Sequence, residues 1–174
     1  MVALNGCLSF THPPNDKGYA HPDSLSNFDG CYENAGEVGK HTSPAFLSRI
    51  VWPNEDERDG RPQAILVTAK SENVVEVAAY SMGILKRKSE FQRDKDFWLK
   101  DGHLKIRSKS EVGIADLFFG INHQEQTVGV DPNGNGRSEK SGFAAGLALY
   151  VIPGIAAGSE TARYKRNPGL CGGS

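Results

Sequence analysis

The chain has 174 residues, 38% of them hydrophobic and 24% charged, with a formal net charge of −1. That length fits one domain with a core of its own, and a balance so near neutral gives no case for the whole molecule binding nucleic acid or an anionic membrane surface. Twenty glycines and nine prolines suit turns between short strands better than a helical bundle.

The first informative stretch is Leu4-Asn5-Gly6-Cys7. Leu at −3, Gly at −1 and then Cys form the end of a bacterial lipoprotein signal, in which the cysteine receives lipid. Asn5 departs from the small residue usual at −2. Only Met1-Val2-Ala3 precede Leu4, where a full export signal has a basic and an apolar part. The expectation is that residues 1–7 are the remnant of a lipoprotein signal and that Cys7 is the lipidation site. Of the three cysteines, lipidation of Cys7 would leave Cys31 and Cys171 as a candidate pair in an oxidising compartment. Spacing alone does not establish that bond. The favoured expectation is a buried Cys31, with Cys171 in a loose Cys-Gly-Gly-Ser tail.

Residues 8–27 show neither a twofold nor a 3.6-residue period and carry Pro13-Pro14, Asn15-Asp16 and His21-Pro22, so they are expected to be a flexible tether. A single β-rich domain then spans 28–166. Its first strand lies within 28–36, ending at Gly36 and Gly39. Residues 44–51 predict a short helix, with Ser43 as cap, Pro44 at the first position, and Phe46, Leu47, Ile50 and Val51 on one face. Trp52 follows as a core or rim anchor. Residues 64–69, 74–80 and 83–88 predict strands. Phe97-Trp98-Leu99 leads through Asp101-Gly102, a type I′ hairpin signal, to a strand with Leu104 and Ile106 inward and Lys105 and Arg107 outward. An apolar run at 112–121 and a strand at 127–131 precede the turn Asn133-Gly134-Asn135-Gly136. Residues 141–159 carry no charge. A small-residue helix followed by a turn is expected there, with a loop that contacts a membrane or ligand as the second reading. Residues 160–165 alternate as a final strand, and 167–174 are expected to be a disordered tail.

Each cluster with chemical content has a plainer competitor. Asp131, Asn133, Asn135 and Gly136 occupy positions 1, 3, 5 and 6 of a calcium loop, but the twelfth position, which should be Glu, is Gly142 and the flank is a strand. An Asn-Gly hairpin turn is the better expectation, and no metal or cofactor is expected. Lys86, Arg87, Lys88, Lys105, Arg107 and Lys109 are candidates for one basic sheet face, solvated in the ordinary case. No Gly-x-Ser-x-Gly elbow, His-Glu-x-x-His, Cys-x-x-Cys or phosphate-binding loop is present, and His41, His103 and His123 stand apart from any nucleophile. The chain is therefore expected not to be an enzyme.

The order of features resembles small envelope lipoproteins of Gram-negative bacteria: Leu4-Gly6-Cys7, a polar run, Gly30-Tyr32-Asn34, Leu47-Trp52-Pro53, Asp101-Gly102 and Gly142-Ala144-Gly146. Some proteins of this type are immunity lipoproteins. That resemblance implies a periplasm-facing domain, held through lipid at the outer membrane, that binds a toxic effector such as a lipase delivered by type VI secretion. The expected fold is mainly β, an antiparallel twisted sheet or partial barrel with one or two short covering helices. The expected function is binding of a protein partner by a lipid-anchored, non-enzymatic domain. Trp52, Trp98, Lys86, Arg87, Lys88, Lys105 and Arg107 are its candidate contacts. The alternatives are a carrier or sensor of a lipid-like ligand inside the partial barrel, or a structural envelope lipoprotein. Phe118, Phe119, Phe143, Leu147, Leu149, Tyr150 and Ile152 are the candidate ligand or membrane contacts.

Overall fold

A computed structural model describes residues 7–39, 43–53, 60–106, 111–115, 118–148 and 152–172. The fold is mainly β and largely antiparallel. In chain order the strands are β1 (Cys7–Thr11), β2 (Gly30–Glu33), β3 (Ala35–Gly36), β4 (Ala45–Phe46), β5 (Ala64–Ser71), β6 (Val74–Ser81), β7 (Ile84–Gln92), β8 (Phe97–Lys100), β9 (His103–Ile106), β10 (Glu111–Ala115), β11 (Phe118–Val130), β12 (Gly136–Ala148) and β13 (Ile152–Tyr164). One short helix, α1 (Leu47–Val51), follows β4.

The larger sheet has the order β1-β13-β12-β11-β9-β8, with β10 continuing alongside the far half of β11. The smaller sheet runs β2-β5-β6-β7. Their apolar faces meet: Val130, Ala162 and Tyr164 from the larger sheet join Ile65, Val75, Val77 and Ala79 from the smaller. Alternation along β13 puts Ala162 and Tyr164 on this inner side, and both are buried. At one side the sheets are stitched together by bridges from Tyr32 to Arg166 and from Glu37 to Arg163. The described residues thus form two facing sheets with one joined seam and no closed barrel.

Local chemistry accounts for the turns. Asp101 and Gly102 have φ of 53° and 74°, the left-handed pair that a two-residue hairpin with the native twist requires. Met82 and Gly83 make the equivalent turn between β6 and β7. Asp131 closes the β11–β12 turn with its own carboxylate: Oδ1 accepts from the backbone N–H groups of Asn133 and Asn135, and Oδ2 accepts from the Asn135 side chain. The stretch that partly matched a calcium loop is this hairpin turn.

The helix is shorter than expected, and neither Ser43 nor Pro44 starts it. Ala45 and Phe46 pair with β3 instead, and the helix N-terminus is capped from a distance. The buried Asn34 accepts from the Ser48 N–H at 2.7 Å and donates through Nδ2 to the Pro62 carbonyl at 2.9 Å.

The helix expected in the uncharged run 141–159 is not formed. β12 and β13 pair from Gly136↔Tyr164 to Ala148↔Ile152, and β11 pairs with β12 from Val130↔Gly136 to Phe118↔Ala148. Gly and Ala are poor strand formers on their own. Here β12 has an unbroken ladder with a neighbour on each side, and β13 pairs with β12 along its whole length, which overrides that preference.

Residues 8–27, expected as a tether, are docked. β1 pairs in parallel with β13. The Ala20 N–H donates to the Val130 carbonyl, and Leu25 and Phe28 enter the core. The tail is held too. The Asn167 N–H donates to the Cys31 carbonyl, and a 3-10 turn over Pro168–Cys171 ends in a Cys31–Cys171 disulfide. Cys31 is buried as expected, but the tail is not loose: residues 165–167, just past β13, run alongside β2, and the turn that follows brings Cys171 to Cys31.

Candidate functional site

Between the sheets lies a cavity of about 450 Å³, within the roughly 300–1,000 Å³ typical of small-molecule pockets. Its wall is mostly aliphatic and aromatic. Ile65, Val67, Val75, Val77 and Phe91 come from the smaller sheet, Leu104, Ile106, Val128 and Val130 from the larger, and Phe28, Leu47, Ile50 and Val51 close one end. The strand that β9 contributes was expected to turn Leu104 and Ile106 inward, and both residues line this space.

The polar groups of the wall are few and differ in kind. The Tyr32 hydroxyl donates to the Phe28 carbonyl at 2.9 Å, and the Tyr164 hydroxyl bonds to Ser138 Oγ at 3.1 Å. Burial pushes both phenols up to about 12, so they stay neutral across the physiological range. Lys95 and Asp96 also belong to the wall. Lys95 is exposed, so the cavity wall reaches the surface at this residue. Next to it, Asp96 accepts from the Gln92 N–H. The arrangement can shelter an apolar body, and the charged residues of its wall are Lys95, Asp96 and Arg137.

On the outer face of the larger sheet a second construction holds the N-terminal segment down. Arg137, with a side chain only 7% exposed, donates from Nε and Nη2 to the two carboxylate oxygens of Asp16 at 3.1 and 2.7 Å. Its guanidinium lies 4.0 Å over the ring of Tyr19. Hydrogen bonding from Arg137 is the largest influence on the Asp16 carboxyl and holds it below its ordinary value. Burial is the main reason the Tyr19 phenol is raised. The Tyr19 ring rests where Gly129 has no side chain; a Cβ there would come within 2.6 Å of the ring. His12 Nδ1 meets the fully buried Thr161 Oγ1 at 3.1 Å.

The candidate partner contacts are dispersed. Trp52 is buried, donates from Nε1 to Ser89 Oγ at 3.0 Å, and lies under the Arg87 guanidinium at 4.8 Å, so its ring is withdrawn from any partner. Trp98 is exposed on β8. Lys86 and Lys88 sit on β7 of the smaller sheet, whereas Lys105 sits on β9 of the larger. The single basic face expected from sequence is therefore not assembled. Lys88 and Lys70 flank Glu76 at 2.6 and 3.3 Å, and the Lys88 bond keeps that carboxyl below its usual range. Lys105 pairs with Glu125. Arg107, Lys109, Leu149 and Tyr150 lie outside the described residues.

The described candidate membrane or ligand contacts fall on strands β11, β12 and β13. Phe118 and Phe119 begin β11, Phe143 and Leu147 lie in β12, and Ile152 begins β13. Phe143 is exposed. Cys7 begins β1, paired with Ala156.

Sequence reading missed Asp16, Arg137 and Tyr19, which act across more than 100 positions and share no local motif. Inward alternation in β5, β6 and β11 was the available signal for the cavity wall. No family model, curated protein or solved structure was found to be significantly similar to this chain.

Proposed function

We propose that the chain is a non-enzymatic binding protein for a lipid-like ligand with one slender apolar body, taken up between the two sheets. The observation that carries this reading is the apolar cavity, whose wall reaches the surface beside Lys95. Burying apolar ligand surface there gains about 25 cal/mol per Å² removed from water, and the two buried phenols, already bonded to protein, demand nothing from the ligand. A ligand with an anionic head would place it against Lys95. The test is titration with parinaric acid, followed by fluorescence. Saturable binding is expected, with loss on Val128→Trp, which fills the space. A folded parent protein that leaves the probe in water rejects the proposal.

The same reading places the protein at the bacterial envelope, facing the periplasm, with Cys7 carrying the lipid. Its support is the Leu4-Asn5-Gly6-Cys7 sequence. Metabolic labelling with a palmitate analogue, compared between the full gene product and Cys7→Ser, tests it, and equal labelling removes the basis for an anchor.

A protein-partner function, including that of an immunity protein, has a different observation in its favour. Met82, Ile84 and Leu85 are exposed together at the β6–β7 hairpin, on the edge strand of the smaller sheet. Co-expression with the product of a neighbouring toxin gene tests this reading. Protection that survives Ile84→Asp with Leu85→Asp removes that surface from it.

A further inference from the structure

We infer that the cavity is a ruler for one unbranched acyl chain, with room for about eleven carbons, the methyl end at the joined seam and the head in water on the opposite side. The inference rests on the binding function proposed above and adds to it the number, length and direction of the chain.

Two unlike walls set the direction. At the seam, Tyr32 of β2 and Tyr164 of β13 line the space and are 3% and 0% exposed. Their hydroxyls are already bonded, to the Phe28 carbonyl and to Ser138. A methyl terminus meets no unpaired phenol there, and a buried head group finds no free partner in either ring. The far wall is different. Phe91 lies on β7, the edge strand, and the turn after it brings Lys95 and Asp96 into the lining, with Lys95 exposed. On the larger sheet, Ile106 shares a cross-strand row with Gln126, Lys140 and Glu160, and the last two are exposed. Away from the seam the apolar lining therefore gives way to polar, solvated residues.

The depth between these walls can be counted on either sheet. A Cβ on Gly136 would meet the Tyr32 ring at 3.2 Å, so the row Val130–Gly136–Tyr164 stands against β2. Phe97 opens the strand after β7 and pairs with Ile106, so the Ile106 row stands at the β7 side. Four residues separate these rows along β11, and three strand spacings separate β2 from β7. At about 3.4 Å per residue and about 4.8 Å per strand, both counts give about 14 Å. Bonds of about 1.5 Å in a zigzag advance about 1.25 Å per carbon, so this depth holds about eleven carbons. Volume sets the number of chains. At about 30 Å³ per methylene, near the liquid share of one water molecule, one such chain takes about 330 Å³ and two take about 660 Å³. The cavity offers about 450 Å³, enough for one chain and too little for two.

The experiment displaces parinaric acid, whose conjugated carbons lie in the methyl half that enters the cavity, with octanoate, decanoate, dodecanoate, tetradecanoate and hexadecanoate below their micelle concentrations. Affinity is expected to rise about fourfold for each methylene up to dodecanoate, as each CH₂ leaves water, and by less than about twofold for each one beyond. Val130→Phe, which extends a side chain into the seam end, should move the break to decanoate. The series on the parent chain decides the length on its own if that variant does not fold. A parent that binds parinaric acid but whose affinity keeps climbing about fourfold per methylene to hexadecanoate, or ignores chain length, overturns the ruler and leaves the binding function standing. A break that stays at dodecanoate in Val130→Phe, with its cooperative unfolding intact, overturns the direction. A folded parent that does not bind parinaric acid overturns both.

Discussion

Replacing Asp16 by Asn tests whether the N-terminal segment is part of the folded domain. The substitution removes the negative charge facing Arg137 and leaves the guanidinium, 7% exposed, with Glu139 at 3.5 Å as its one carboxylate among the described residues, beside the Tyr19 ring. Removing one partner of a fully buried ion pair costs about 3–5 kcal/mol. The Asp16 side chain is 18% exposed, and asparagine keeps one acceptor, so a loss of about 2 kcal/mol is the reasoned figure. With a urea slope near 2 kcal/mol/M the unfolding midpoint falls by about 1 M. Arg137→Gln should cost a similar amount. The double variant should cost much less than the sum, a coupling of about 1 kcal/mol or more. Limited proteolysis should meanwhile open the segment 12–22, which the parent protects. A midpoint within about 0.2 M of the parent, no coupling and unchanged proteolysis would falsify the strap and restore the tether read from sequence.

The same pair sets a pH dependence. The folded Asp16 carboxyl lies below its ordinary value of 3.8, so its contribution is full above that value and is lost as pH falls through the lowered one. The stability gap between parent and Asp16→Asn should close in acid; a gap that widens there contradicts the assignment. Cys171→Ser opens a cross-link between residues 140 apart. Loop entropy for that length gives about 5 kcal/mol and measured losses run near 2–5 kcal/mol; dithiothreitol should reproduce the drop in the parent and leave the variant unmoved. Asn34→Ala removes two buried hydrogen bonds and should cost about 2–3 kcal/mol in urea unfolding. A near-neutral result means that Ser48 and Pro62 find other partners.

Strands bounded by strong turn chemistry were legible. Asp101-Gly102 demanded positive φ at both turn positions, and Leu104 and Ile106 alternated toward the core. Residues 127–131 also read as a strand, though not as the end of a β11 that begins at Phe118, and 112–121 read only as an apolar run. The uncharged run misled because Gly and Ala carry little β preference, and the ladder that makes them strands comes from β11, whose pairing no local pattern reveals. Residues 8–27 misled for a related reason. A segment without period has no secondary structure to predict, yet Tyr19, Leu25 and Asp16 dock one by one on surfaces formed far along the chain. The cavity wall was visible as inward residues of several strands, but the unfilled space between them depends on the separation of two sheets, a quantity absent from any single stretch of sequence.

The pairing of β1 with β13, together with the Cys31–Cys171 bond, has a consequence for the order in which the molecule can be completed. As the polypeptide emerges, β5, β6 and β7 can zip as local hairpins, but β1 has no strand to lie against until β13 has been delivered, and Cys31 waits 140 residues for its partner. Such long-range closure is slow because the intervening chain must be gathered first. The beginning of the chain is therefore the last part to be locked. A nascent or C-terminally truncated product keeps Cys7–Thr11 available to whatever machinery handles them, and delivery of β13 is what withdraws them into the sheet.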